Sequence, residues 1–191
     1  MIKAYFDGLC EPVNPGGVAT YGYVIYRDDV KIVSGYGIIG AGMFGDETSN
    51  NIAEYYALIK LLEKIIELGI RGDVEIYGDS QLIINQVNGV YRVRSKKLKP
   101  LYEKTLELLS MLRNARISWI PREMNKEADK LSYKAYIEFM YRHGKEAVEY
   151  YKQYLVTKNQ ANMLKRLGID ANPYIPRRLF WRIFMQHKLQ K

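Results

Sequence analysis

Cysteine is almost absent from this chain: a single one, Cys10, excludes an intramolecular disulfide and a cysteine-based metal centre. Histidine is as scarce. Its two copies, His143 and His187, fall in the C-terminal quarter, so residues 1–139 hold none. A histidine base in that region, or a serine triad built on Ser80 beside Asp79, is disfavoured unless His143 folds back. Long apolar runs are missing too. The nearest candidate, IKLLEKIIELGI, is interrupted by charges, so no membrane span is expected. MIKAYFDG runs directly into a strand pattern, which argues against a signal peptide and for a cytoplasmic protein. There is no GxxxxGK[ST] loop, and Gly40, Gly42 and Gly45 form no dinucleotide fingerprint.

What is present is an ordinary apolar fraction of 48% and an unevenly placed charge of +8 over 191 residues. Residues 1–139 balance 18 Lys+Arg against 18 Asp+Glu, whereas residues 140–191 carry 11 against 3. The whole excess therefore sits in a C-terminal quarter that also holds eight aromatics, among them Tyr150, Tyr151, Tyr154, Phe180, Trp181 and Phe184. A basic, aromatic appendage on a neutral body points to a polyanion, although charge alone does not separate DNA, RNA and anionic lipid.

Residues 2–6 alternate as a strand ending at Asp7-Gly8, and a Pro/Gly-rich loop follows over residues 9–17. Residues 19–27 and 30–37 read as an antiparallel hairpin around Asp28-Asp29. Apolar residues recur at helical spacing from Ile52 to Leu68, with the helix starting near Ser49 or Asn50 and Gly69 as its stop. A strand over 74–77 precedes Gly78-Asp79-Ser80 and a helix to about Asn88. A helix over 98–113, a strand over 115–120 and a helix over 125–139 complete the body. The order β-β-β-α-β-α-α-β-α predicts an α/β fold. Its mixed five-stranded sheet has three antiparallel strands, then two parallel ones, and is flanked by helices. Residues 140–191 are expected to form a helical extension, with helices over 145–158, 159–167 (capped by Asn159) and 176–187. This divides the chain into a body, 1–139, and an appendage, 140–191.

Four acids occupy suggestive positions. Asp7 ends the first strand, Asp79 follows the fourth, Glu54 lies early in the first helix and Asp129 early in a late one. If the first and fourth strands are neighbours, their ends bring Asp7 and Asp79 together, and helices at that edge can supply the other two. Converging carboxylates without a basic partner raise one another's pKa values, and divalent cations relieve that repulsion. Oxygen ligands without nearby Cys or His favour Mg²⁺ or Mn²⁺, two of which can drive phosphodiester hydrolysis. Singly, each acid also has a plain structural reading: Glu54 as a solvated helix residue, Asp129 as a first-turn charge favoured by the helix dipole.

In these segments the chain closely resembles the type 1 ribonuclease H family. They are Tyr5-Phe6-Asp7-Gly8, Asn14-Pro15-Gly16-Gly17, Thr48-Ser49-Asn50-Asn51-Ile52-Ala53-Glu54-Tyr55, Tyr77-Gly78-Asp79-Ser80-Gln81-Leu82 and Trp119 through Asp129. The resemblance covers roughly residues 1–139. It implies hydrolysis of the RNA strand of RNA–DNA hybrids, with 5′-phosphate and 3′-hydroxyl products and two ions per site. Asp7 would touch both ions, Glu54 and Asp79 would hold the one that activates water, and Asp129 would assist the other. Asn14, Ser49, Asn51 and Gln81 would lie along the hybrid's minor groove, where amides can donate to and accept from 2′-hydroxyls. Helix capping is the competing role for Asn50-Asn51, and a simple turn for Asn14. Arg92, Arg94, Lys96 and Lys97 would grip the DNA backbone, unless they form only a solvated helix start. Arg122 is left between pairing with a carboxylate and facing phosphate.

Two departures from the family pattern stand out. The loop histidine that many members carry before the last aspartate is missing, the connection being compressed to residues 121–125. Slower turnover is expected, with Glu123 as a possible stand-in. The extension matches no motif; it either lengthens the nucleic-acid footprint, packs on the core, or contacts a protein partner. A monomer is expected, with double-stranded RNA as a further substrate. The alternatives are a DNA nuclease of the same broader fold and a non-catalytic hybrid-binding module.

Overall fold

A computed structural model describes residues 1–188 of the chain. Five strands, β1 (Ile2–Glu11), β2 (Val18–Arg27), β3 (Val30–Ala41), β4 (Asp73–Gly78) and β5 (Asn114–Trp119), form one sheet in the order β3-β2-β1-β4-β5. β1, β2 and β3 pair antiparallel; β4 joins β1 and β5 joins β4 in parallel, as the pattern of hairpin then crossovers required. Asp28 and Asp29 turn the hairpin with φ of +49° and +63°, the left-handed pair that a two-residue connection needs.

Helices α1 (Asn50–Glu67), α2 (Gln81–Val87), α3 (Lys99–Ser110) and α4 (Lys126–Tyr151) flank the sheet. The even-numbered residues of β1 (Ile2, Ala4, Phe6) enter the larger core with Leu58, Leu61, Leu62 and Ile65 of α1. The odd-numbered ones face α4, where Leu9 meets Tyr136, Phe139 and Met140. Burying each such Leu, Ile or Phe contributes about 1.5–3 kcal/mol.

Several expected boundaries move. β1 does not end at Asp7 but runs to Glu11, because its antiparallel register with β2 continues from Ile2↔Arg27 to Glu11↔Val18. Its parallel register with β4 stops at Tyr5↔Tyr77, so Asp7 stands where the sheet opens on one side only. β3 likewise continues past Gly37 to Ala41, following β2. Helix α4 does not stop near Phe139: it crosses to Tyr151 with a break at Gly144 (φ +44°, ψ −117°). The helix expected over 145–158 therefore ends early, in a 3-10 turn over Lys152–Tyr154.

Beyond it, α5 (Lys158–Arg166) is capped by Thr157 and not by Asn159. The Thr157 hydroxyl accepts from the Gln160 N–H, and the Gln160 side chain accepts from the Thr157 N–H. The last expected helix begins with a 3-10 turn, Arg177–Leu179, and continues as α6 (Phe180–Lys188). Ala147, Tyr151, Leu155 and Tyr174 share a buried cluster with Leu9, Val18 and Ala41, while Val156, Leu164, Ala171, Ile175 and Phe180 form a small core of their own. No helix among the described residues is long and apolar enough to cross a membrane.

Candidate metal and nucleic-acid site

Two glycines, Gly8 on β1 and Gly22 on β2, let helices close on the sheet from opposite faces. A Cβ on Gly8 would stand 2.2 Å from the Ala53 carbonyl carbon and the Glu54 nitrogen, so only glycine admits α1 this near. A Cβ on Gly22, the strand partner of Asp7, would stand 2.5 Å from Ala128 O and Ser132 N of α4. The first approach brings Glu54 to Asp7; the second brings Ser132 and Asp129.

Asp7, Glu54 and Asp79 each offer a carboxylate oxygen within 4.8 Å of the others. Asp7 and Glu54 are buried, at 4% and 8% exposure, and Asp79 is partly open. Ser132 donates its hydroxyl to Asp7 Oδ2, and the Gly8 N–H donates to Glu54 Oε2 at 3.2 Å. Asn125, fully buried, donates from Nδ2 to Phe6 O at 2.8 Å and to Asp79 Oδ1 at 3.4 Å. The Trp119 indole N–H donates to Asp79 O at 3.1 Å.

Asp129 stands apart from this trio, held by the Arg122 guanidinium at 2.5 and 3.1 Å. That answers the open question of Arg122: it pairs with a carboxylate. Burial pushes Asp7 up to about 7, with Asp79 and Asp129 adding to the rise and Ser132 opposing it. Burial, then Asp7 and Asp79, raise Glu54 well above the ordinary carboxylate range. Asp79 is raised by burial against the pull of Arg122 and Asn125. Three carboxyls this close, each raised by burial and offering an all-oxygen donor set, fit a hard divalent cation.

Around this cluster Asn14, Asn51 and Gln81 are exposed. The Asn14 side chain accepts from the Asn50 N–H at 3.0 Å, and the Asn50 side chain from the Cys10 N–H at 2.8 Å. Asn51 and Gln81 make no side-chain hydrogen bond among the described residues. Ser49 is the helix cap, its hydroxyl accepting from the Ile52 N–H at 3.3 Å. Arg92, Arg94, Lys96 and Lys97 lie exposed in the irregular segment between α2 and α3, where Lys97 pairs with Glu47. His143 packs against Phe44 and Phe139.

Sequence reasoning missed Ser132, Asn125 and Trp119. Ser132 was within reach: three residues after Asp129, it shares that helix face. Asn125 gave no local signal, because its partners Phe6 and Asp79 are distant in the chain.

The family model described as Reverse transcriptase-like matches residues 6–135. A Ribonuclease HI of Halobacterium salinarum is 37% identical over 134 residues, which is 70% of this chain and 63% of that protein. The Bifunctional protein Rv2228c of Mycobacterium tuberculosis is 33% identical over 119 residues, 62% of this chain and 31% of its own. The chain thus spans less than two thirds of either relative. Among solved structures, LC11-RNase H1 in complex with RNA/DNA hybrid superposes with a TM-score of 0.66 and 34% identity, covering 73% of this chain and 99% of that one.

Proposed function

This chain belongs to the type 1 ribonuclease H family, and on that premise we propose that it hydrolyses the RNA strand of RNA–DNA hybrids with the help of divalent cations. The observation that carries this reading is the trio of Asp7, Glu54 and Asp79. Three elements converge to put three carboxylates together, an arrangement that is costly unless a cation occupies it.

Asp7, Glu54 and Asp79 would hold Mg²⁺ or Mn²⁺, two ions in all, with Asp129 contributing once substrate is present. Bound there, the metal supplies a more acidic water and charge neutralisation at the phosphate. The chain's own residues do the positioning. Ser132 fixes the Asp7 carboxylate, Asn125 ties Asp79 to the Phe6 carbonyl, and Arg122 keeps Asp129 oriented at the rim.

The free amides of Asn51 and Gln81, with Asn14 and Ser49 beside them, suit the 2′-hydroxyls of an RNA strand. Arg92, Arg94, Lys96 and Lys97 suit the phosphates of the DNA strand. Products would be 5′-phosphate and 3′-hydroxyl ends. Residues 1–139 would carry this chemistry and residues 140–191 would assist it.

The deciding experiment presents one labelled sequence as hybrid, DNA duplex and RNA duplex, with Mg²⁺ or Mn²⁺. Cleavage of the hybrid's RNA strand by wild type, abolished in Asp7→Asn, is the expected result; cutting of the RNA duplex as well would widen the substrate range. Hybrid binding without cleavage under either ion would replace the enzyme with a binding module, and cutting of the DNA duplex alone with a DNA nuclease.

A further inference from the structure

The charge of the extension is not spread evenly around the molecule, and part of it is built into the edge of the carboxylate cluster. Glu11 lies on the same face of β1 as Asp7, four residues further on, or about 13 Å along the strand. It is buried at 2% exposure, and Arg178 donates to its Oε1. Its Oε2 has no partner among the described residues. Burial raises the Glu11 carboxyl, and three guanidinium groups oppose that rise: Arg178, Arg122 and Arg182. Arg122 is also the residue that holds Asp129. Arg178, at the turn that leads into α6, is thus tied to the strand face that carries Asp7, and Arg122 and Arg182 act on the same carboxyl.

The segment that carries Arg178 is fixed in place. Tyr136 donates to Tyr174 O at 2.7 Å, Arg177 donates through Nε to Leu155 O at 2.9 Å, and Phe180 is buried in the small core with Leu164 and Ile175. Its outer side is nevertheless open. Arg178 is 60% exposed despite its pairing, Arg182 is exposed without an ion pair among the described residues, and Trp181 beside it is 63% exposed. From Ala171 to the end of the sequence there is no Asp or Glu.

Arg178, Arg182 and the exposed Trp181 put charge of one sign beside an aromatic face, the combination that nucleic acid binds. The basic segment around Arg92–Lys97 follows α2, which packs with α3 and α1 on the side of the larger core, whereas Arg178 reaches Glu11 on the face of β1 that carries Asp7 and Leu9 and meets α4. The two basic segments thus lie toward opposite faces of the sheet.

We infer that Arg178, Trp181 and Arg182 form a second nucleic-acid contact, which holds the backbone of the strand that leaves the carboxylates on the α4 side. The guanidinium groups take phosphates, and the indole offers a stacking face for a base near a duplex end or distortion. The identity of that strand rests on the proposed function; the contact itself rests on the geometry around Glu11.

The test measures hybrid binding by fluorescence anisotropy with the full-length Asp7→Asn protein. It compares a long hybrid with one too short to reach past the carboxylates. Adding Arg182→Gln together with Trp181→Ala is expected to weaken the long hybrid by about three- to tenfold and to flatten its log–log salt slope by about one unit. The short hybrid should bind as before, as should the long one to Arg182→Lys, which keeps the charge; matching thermal melts exclude misfolding. Unchanged affinity and salt slope for the long hybrid in the double variant would overturn the contact. If the wild-type protein cleaves no hybrid yet the binding difference remains, the hydrolytic reading falls and the contact stands. If cleavage is intact and the binding difference is missing, the contact falls alone.

Discussion

At Asp7 a carboxylate is kept out of water beside two other acids, and among the described residues its one hydrogen-bond donor is Ser132. Its folded pKa of about 7 lies above the ordinary value of 3.8, so the folded state holds a proton there that the unfolded chain has already released. Stability from this group is full below pH 4 and declines as pH rises through 7. Without metal, wild type should therefore melt at a lower temperature at pH 8 than at pH 5, and Asp7→Asn should remove much of that difference. Mg²⁺ at pH 8 should restore the melting temperature of wild type but not of the variant, as calorimetry in chelator and in added metal will show. Replacing Ser132 by Ala leaves Asp7 without its donor. We expect about a 10- to 100-fold loss of apparent metal affinity in cleavage titrations, with Ser132→Thr retaining function. Equal metal dependence in Ser132→Ala would show that the hydroxyl only packs.

Elements matter here through how closely they approach. α1 lies against β1 only because Gly8 has no side chain, and that contact delivers Glu54. Gly8→Ala should displace α1, cost about 1–3 kcal/mol in urea denaturation and lower hybrid cleavage more than it lowers hybrid binding. Helix α4 contributes at both ends. Its start brings Asp129 and Ser132, and its far end brings Tyr151, whose hydroxyl donates to Gly16 O at 3.3 Å and accepts from Met43 N at 3.2 Å. Gly16 belongs to the loop that carries Asn14. Tyr151→Phe should cost about 1 kcal/mol of stability and raise KM for the hybrid with kcat preserved. A fall in kcat without a change in KM would argue against a role in placing that loop.

For the molecule as a whole, the extension closes over the end of β1 instead of trailing from it. Leu9, Val18 and Ala41 of the sheet share a cluster with Ala147, Tyr151, Leu155 and Tyr174. A chain cut after His143 would expose that cluster, and we expect it to unfold at markedly lower urea than the full chain and to be digested faster by protease. Truncation that leaves the denaturation midpoint unchanged would instead make the extension a detachable unit. Arg92, Arg94, Lys96, Arg178 and Arg182 are exposed and open to a polyanion, so hybrid affinity should fall steeply with salt.

Strand and helix order, the mixed sheet and the carboxylate trio were legible from the sequence, because period-two and helical patterns are local and each acid stands in a short motif. The ends of elements were less legible. β1 continues past Asp7 because β2 pairs with it along its length, and Thr157 instead of Asn159 caps α5 because Gln160 completes the box. Only the tertiary structure decided that Asp129 is held by Arg122, that Asn125 bridges Phe6 and Asp79, and that Arg178 neutralises Glu11. The contacts of Asn125 and of Arg178 join residues remote in the chain and depend on how near packed elements come, a distance that the bare backbone at Gly8 and Gly22 shortens. Local sequence specifies which residues can do the chemistry; packing specifies which of them meet.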